Sequence, residues 1–415
     1  MLSFYRFITP LLAPLLKLHL RRRLKRGKES PTRLYERFGG ASLPRPSGKL
    51  LWIHAASVGE SVSVLPLIFR LNQKYPEVNI MLTTGTVTSA ELMAQRLPRN
   101  VIHQFVPLDV PKWVKRFLEH WQPDGGVIIE SELWPNMLYQ AKHQEIPLIL
   151  LNASLSEKSY HRWQGAKSVI QELLSYFSCI MTPSLETAVR LKNLGATHVD
   201  LSINLKFLAD PLPVNRDELD SLSSSLKRPL YTAVSTHPGE EEVVIEAYLK
   251  LKPSYPTLLL ILAPRHPHRA SSLIEMMRAK GLSIAQRSLG ELPTQAHDVW
   301  LIDTIGELGL IYSLAPFCFL GGSLMPIGGH NAIEPFLLDC AVIQGEQTFK
   351  SHHINQLLRP VLATVQNAED LSKIVKLYLD QPDHVMELLR QAAAILQDQR
   401  QGLEEIVDKI VEELR

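Results

Sequence analysis

Cysteine is scarce in this chain. Cys179, Cys318 and Cys340 are scattered over 415 residues, each inside or beside an apolar stretch, so neither a disulfide framework nor a zinc site with its paired spacing is available. That scarcity points to a reducing, cytoplasmic setting for the body of the protein. Internal repeats and low-complexity tracts are missing too, which sets aside solenoids and disordered arrays. Acidic residues are absent from the first 28 positions, where Arg6, Lys17, Arg21, Arg22, Arg23, Lys25, Arg26 and Lys28 stand. The remainder carries 36 basic against 42 acidic residues, so the net charge of +2 is a basic end on an acidic body. A nucleic-acid-binding body, whose positive charge would spread over a face of the fold, is thereby excluded, and no nucleic-acid partner is expected.

A clean membrane span is also lacking. The N-terminal segment is mostly apolar over about twenty residues, but Arg6, Pro10, Pro14 and Lys17 interrupt it. No small-residue cleavage site follows, as a signal peptide would require. Residues 1–28 are expected to be a membrane anchor that lies in the interface or barely spans, with Arg21 to Lys28 on anionic lipid at the cytoplasmic face of the inner membrane. The alternative is a surface helix docked on the protein's own core.

What the chain does have is rhythm. From Leu50 onward short apolar runs such as KLLWIHAAS, NIMLTTG and GGVIIE alternate with amphipathic stretches, the β-α-β pattern of a parallel sheet covered by helices. The pattern breaks over 208–229, rich in Pro, Ser and charge, and resumes with PLYTAVSTH. The length exceeds what one core usually serves. The expected organisation is therefore an N-terminal Rossmann-like domain over 29–207, a linker over 208–229, a second Rossmann-like domain over 230–385 and a helical tail over 386–415 that packs back toward the first domain. Ligands of open α/β sheets bind beyond the carboxyl ends of the strands, and there the polar residues gather.

Among them GGSLMPIGGHNAIEP, residues 321–335, follows the apolar run FCFL. Its glycines let a ligand approach bare backbone, and the amides leading into a helix over AIEPFLL would attract an anion. Glu334, as an acceptor-only carboxylate, suits ribose hydroxyls. A glycine-rich turn with an Asn cap is the plain alternative. Arg265 and Arg269, in APRHPHR, offer guanidinium forks for phosphate or carboxylate; a His-x-His metal site ranks last there, because no further ligand stands at recognisable spacing. Ser57-Val58-Gly59-Glu60 reads as a capping box or, at a cleft mouth, as a general base kept ionised by a helix N-terminus. Glu130 and Glu132, flanking Ser131 beside Trp134, suit the hydroxyls of a sugar or equally a loop of no function.

Taken in order, ERFG (36–39), SVGE (57–60), ESELWPN (130–136), NASLS (152–156), LKF (205–207), STHPGEE (235–241), APRHP (263–267), DTIGEL (303–308) and the 321–335 segment resemble the 3-deoxy-D-manno-oct-2-ulosonic acid (Kdo) transferases of Gram-negative bacteria over nearly the whole chain. The resemblance implies an α/β protein of GT-B fold, two Rossmann-like domains facing a cleft, and inverting transfer of Kdo from CMP-Kdo to the lipid A precursor in lipopolysaccharide biosynthesis. No metal and no cofactor are implied. By matching motif, Glu60 is the expected base. Lys206, Thr236, Arg265 and His266, the loop Thr304-Ile305-Gly306-Glu307, and Gly328, Gly329, His330, Asn331 and Glu334 are the expected donor site. Ser57, Gly59, Glu130 and Glu132 fall on the acceptor side. The chain departs from the family pattern at Ser154, where arginine is common, at Ile203, where glycine is frequent, and at Leu208, where an acid is usual. A GT-B enzyme using another nucleotide sugar, or a sugar-nucleotide binding protein without catalysis, are the competing readings.

Overall fold

The computed structural model describes residues 2–414. The chain forms two compact units, one of Met1–Ala209 with Gln399–Arg415 and one of Asp210–Asp398.

The first unit is built on a seven-stranded parallel sheet: β1 (Leu50–His54), β2 (Asn79–Thr84), β3 (Ile102–Phe105), β4 (Gly125–Ile129), β5 (Leu148–Leu151), β6 (Cys179–Thr182) and β7 (Val199–Leu201). Their spatial order is β3-β2-β1-β4-β5-β6-β7. Strands β1, β4 and β5 are buried along their whole length, which is why they read as continuous apolar runs. Successive side chains alternate between two cores. Trp52 and Ile128 enter one with Phe117 and Trp121, while Ile53 and Val127 enter the other with Ile68 and Leu71. The order reverses at β1, which pairs with β2 on one side and β4 on the other.

The second unit repeats the plan with β8 (Leu230–Thr236), β9 (Leu259–Pro264), β10 (Ile284–Gln286), β11 (Val299–Leu301), β12 (Phe317–Leu320), β13 (Ala341–Gln344) and β14 (Ala363–Thr364). The order β10-β11-β9-β8-β12-β13-β14 is again parallel and reverses at β8, between β9 and β12. Each sheet thus has a crevice at its switch point, between β1 and β4 and between β8 and β12.

The N-terminal segment forms one helix, α1 (Leu2–Lys25), which is docked on the first unit. Its inner face buries Leu2, Thr9 and Leu20. Tyr5 donates to the buried Asp109 at 3.1 Å, and Asn136 Nδ2 donates to Thr9 Oγ1 at 3.1 Å. The opposite face leaves Phe4, Phe7, Leu11, Leu15 and Leu18 exposed, Phe7 to 69%. Of the two alternatives posed by the sequence the structure shows the docked helix, with an apolar face left exposed on its far side. Among the described residues no helix is long and apolar enough to cross a membrane.

The stretch 208–229 is not irregular throughout. It contains the helix Arg216–Ser225, because Asn215 caps it by accepting the Glu218 amide and Leu222 supplies a buried contact. At the other end a single helix, Pro382–Glu413, closes the chain. Its Ile406, Val407, Ile410 and Val411 lie in the core of the first unit.

Candidate active site

In the first unit, β1 delivers the chain through Ala55 and Ala56 into the short helix Val58–Ser63. Ser57 caps it, its Oγ accepting the Glu60 amide at 3.3 Å. Glu60 folds back, Oε2 accepting the Ala56 amide at 2.8 Å and Oε1 accepting the Ser57 hydroxyl at 2.7 Å. The cap is therefore real, with Ala56 rather than Ser57 as amide donor. It engages one lone pair on each oxygen and leaves the other, and Glu60 remains 9% exposed. A Cβ added at Gly59 would meet nothing within 4 Å, so the space before this first turn is open.

Across the switch point, β4 ends in Glu130 at φ 61°. A non-glycine residue in this left-handed region stores strain of the kind found at functional sites. Burial pushes the Glu130 carboxyl above the usual carboxylate range, the Lys206 ammonium opposes this, and Glu60 and Glu132 add to the rise. Glu132 is raised by burial, opposed by the Trp134 indole N–H that it accepts at 2.6 Å, and raised further by Glu60. Three carboxylates and one cation thus share a field. Lys206 is presented by the 3-10 turn Leu205–Leu208, whose Leu205, Phe207 and Leu208 are buried. Asn204 accepts the Lys206 amide, and Asn152, itself at φ 58°, accepts the Leu205 amide. A cavity of about 530 Å³ adjoins the acids, walled by Glu130, Glu132, Trp134, Ser154 and Trp163.

Two of the departures from the family pattern have a packing reason. Ile203 sits where a Cβ on Gly402 would fall 2.4 Å from its side chain, so the bulk at 203 is accommodated by the bare backbone at 402. Leu208 joins the core beside Ile406 and Ile410, a place closed to an acid.

In the second unit the switch point is organised around a residue of the STHPGEE motif to which the sequence reading gave no role. Glu240, fully buried, accepts the amides of His237 and Gly322 on Oε2 at 2.9 and 2.7 Å and those of Ser323 and Leu324 on Oε1, both at 2.9 Å. The backbone from Gly322 to Leu324 therefore cradles an anion, but the anion is the protein's own carboxylate. The second glycine pair bends sharply, Gly328 at φ 111° and Gly329 at 81°, and the Gly329 amide donates to the Gly322 carbonyl at 2.6 Å. Among the described residues the amides of Gly328, His330 and Asn331 have no acceptor within the chain. The helix expected over AIEPFLL is a single turn, Ile333–Phe336, ended by the following turn, in which Asp339 stands at φ 55°, so its dipole is small.

Around this loop stand an imidazole pair and one free guanidinium. His237 and His330 approach Nε2 to Nε2 at 3.0 Å with nearly parallel rings, and His266 meets His237 edge-on. Burial, then His237 and Arg265, hold His330 down to about 4; burial also lowers His237. Glu334 is pushed up by burial, opposed by Asn331, which donates at 3.2 Å, and by Arg265. The two arginines of APRHPHR separate in role. Arg269 is bound to the fully buried Glu241 at 2.6 Å, with Thr236 donating to the same carboxylate at 3.1 Å. Arg265 is exposed and, among the described residues, has no ion-pair partner.

The loop Thr304-Ile305-Gly306-Glu307 is also divided. Glu307 is engaged by Arg287 at 2.5 Å and by the Thr304 hydroxyl, whereas Ile305 stands 89% exposed beside Gly306 at φ 90°. Within the second unit the structure thus brings His330, Glu334, Arg265 and His266 together, while Thr236 and Glu307 are spent on neighbours. His237 and Glu240 were legible only as members of the STHPGEE motif, since Gly239-Glu240-Glu241-Glu242 gives no local sign of which acid turns inward. Among the described residues no group of three or more His, Cys, Asp or Glu side chains could hold a metal ion.

Two doubly wound parallel sheets in tandem, each gathering ionisable groups at its switch point, define the GT-B class of glycosyltransferase folds. A glycosyltransferase from Rickettsia africae shares it, with a TM-score of 0.62 at 13% identity, over 89% of this chain and 100% of that one. Residues 32–209 match the family described as 3-Deoxy-D-manno-octulosonic-acid transferase (kdotransferase). A probable mitochondrial 3-deoxy-D-manno-octulosonic acid transferase of Arabidopsis thaliana is 37% identical over 393 residues, 91% of this chain and 88% of its own. The 3-deoxy-D-manno-octulosonic acid transferase of Haemophilus influenzae is 35% identical over 386 residues, 91% and 90% of the two chains. The chain belongs to the 3-deoxy-D-manno-octulosonic acid transferase family.

Proposed function

We propose that this chain transfers Kdo from CMP-Kdo to the lipid A precursor, lipid IVA, with inversion and with no metal ion or cofactor, in lipopolysaccharide biosynthesis. The observation that carries the reading is Glu60, a carboxylate held at the first switch point by two hydrogen bonds, with a lone pair left on each oxygen and open space in front of Gly59. In the reaction the acceptor hydroxyl oxygen attacks the anomeric carbon of Kdo, its proton passes to Glu60, and the bond to the phosphate of CMP breaks with the electron pair leaving on the phosphate. An oxocarbenium-like transition state needs its departing negative charge met by fixed donors. Among the described residues Arg265 and Lys206 have no ion-pair partner, and the amides of Gly328, His330 and Asn331 have no acceptor. These groups take the donor's phosphate and carboxylate, with Glu334 on the ribose and the Ile305 loop against the nucleotide. Glu130 and Glu132, with Ser57 and Gly59, face the acceptor sugar.

Because an acyl-chain acceptor stays in the bilayer, the enzyme works at the cytoplasmic face of the inner membrane in this reading, which the exposed apolar face of α1 supports. The test is Glu60→Gln, incubated with CMP-Kdo and lipid IVA and read by product mass. Loss of a cap costs ~0.5–2 kcal/mol of stability, whereas loss of a general base lowers turnover by roughly 10²–10⁴. The expected result is a folded, donor-binding protein with turnover lowered by that factor; turnover near the parental rate would remove Glu60 as the base.

A further inference from the structure

A groove on the first unit lies outside every site described above. It runs along one flank of α1, where Pro10, Ala13, Lys17 and Arg21 recur at helical spacing, and its other wall is the helix Pro111–Trp121. It encloses about 530 Å³. Lys17 and Arg21 face it from α1, Lys112 and Arg116 from the second helix, Phe38 and Trp113 form its floor, and no carboxylate lines it. Among the described residues none of the four cations has an acidic partner, although Lys115, on the same helix as Lys112, pairs with Glu119 at 3.5 Å. Their recorded contacts are weak: the Lys17 Nζ lies 5.8 Å over the Phe38 ring, and an Arg116 Nη reaches the Phe38 carbonyl at 3.4 Å.

This arrangement is unfavourable for an empty groove. Lys17 with Arg21, and Lys112 with Arg116, are like-charge pairs one helical turn apart, which repel on any helix. Two such pairs facing one cavity, without an acid between them, call for an external anion. We propose that the groove binds the phosphate-monoester headgroup of a membrane phospholipid. Two guanidinium forks match phosphate oxygens bidentately and two ammonium groups add point charges. Four cations suit a dianionic monoester better than the single charge of a diester. The groove also lies beside the exposed apolar face of Phe4, Phe7, Leu11, Leu15 and Leu18. A lipid seated there keeps its headgroup over Phe38 and Trp113 and its chains along that face. Attachment to the bilayer is then selective for a headgroup, beyond general attraction to the basic N-terminus.

The inference rests on α1 lying in a membrane interface, and its test reads vesicle binding alone, so its failure leaves the transfer reaction untouched. The full-length protein is titrated with phosphatidylcholine vesicles containing phosphatidic acid, and with vesicles of equal surface charge containing phosphatidylglycerol. Two double variants are compared with the parent. Lys112→Ala/Arg116→Ala empties one wall of the groove while leaving α1 unchanged; Lys25→Ala/Arg26→Ala removes the same charge at the C-terminal end of α1, outside the groove. The expected result is tighter binding of the parent to phosphatidic acid vesicles. That preference falls by about tenfold or more in the first variant, as for loss of charge-assisted hydrogen bonds, and persists in the second. Equal losses in both variants, or no preference between the two lipids in the parent, would overturn the proposal in favour of simple electrostatic adsorption. Saturable binding of inorganic phosphate in the absence of vesicles, abolished by Lys112→Ala/Arg116→Ala, would overturn the lipid as occupant.

Discussion

His330 shows how burial ties the charge of a single residue to the stability of the fold. Burial, reinforced by His237 and Arg265, holds its imidazole down to about 4, against an ordinary value of 6.5. Between those two pH values the unfolded chain binds the proton more readily than the folded one, so stability falls as pH drops through that window and is fully retained above it. Replacing His330 with Asn removes this contribution. Thermal melts at stepped pH should therefore show a shallower acid limb for His330→Asn than for the parent between about pH 6.5 and pH 4. An unchanged limb would mean that the imidazole protonates as freely in the fold as outside it. The same neutral pair has a functional corollary. A phosphate brought beside His237 and His330 favours the protonated imidazole, so in the proposed reaction the pair would answer the charge of the leaving nucleotide.

At the scale of elements, the second switch point is held by a latch. Glu240 joins the start of the helix Glu240–Leu251 to the loop after β12 through four amide hydrogen bonds to one buried carboxylate. Each unpaired buried amide costs ~1–3 kcal/mol, so Glu240→Ala should lower the stability of the second unit by roughly 4 kcal/mol or more. Glu240→Gln should rescue only part of that loss, since its NH₂ would face two donors. Differential scanning calorimetry of both variants checks this; full rescue by Gln would show that the charge and the second acceptor oxygen do not matter. The latch also explains what sequence could and could not reveal about this loop. That bare backbone in this loop could meet an anion was legible, although the amides expected to do so were those leading into AIEPFLL and not those of Gly322, Ser323 and Leu324. That the anion is Glu240, about eighty positions earlier, was not, because only the parallel pairing of β8 with β12 brings the two segments together. Likewise Ser57 to Glu60 is a local pattern and was read as a cap, whereas the shared field of Glu60, Glu130 and Lys206 joins three distant stretches.

Over the whole molecule, the alternation of apolar runs with amphipathic stretches was enough to read two parallel-sheet units, because buried parallel strands leave a strong signal in composition. The final helix is different. Its 32 residues, Pro382–Glu413, carry one amphipathic pattern, yet the chain divides within them, at Asp398 and Gln399. Periodicity cannot show this, since an apolar stripe reports that a face is covered and not which unit covers it. The core of the first unit decides the matter: Ile406, Val407, Ile410 and Val411 are buried there beside Val127 and Ile149, and Gly402 receives Ile203. Fully burying each such aliphatic side chain is worth about 1.5–3 kcal/mol, so the four contribute roughly 6–12 kcal/mol. That is the size of the whole stability of a typical domain, about 5–15 kcal/mol. A chain ending at residue 398 should therefore lose the cooperative unfolding of the first unit, seen as missing protection of β1 and β4 amides in hydrogen exchange. The amides of β8 and β9, whose core holds none of the removed residues, should keep theirs. Retained protection in β1 and β4 would show that the first sheet is stable without its last helical turns, and that the terminal segment was added to a unit already complete.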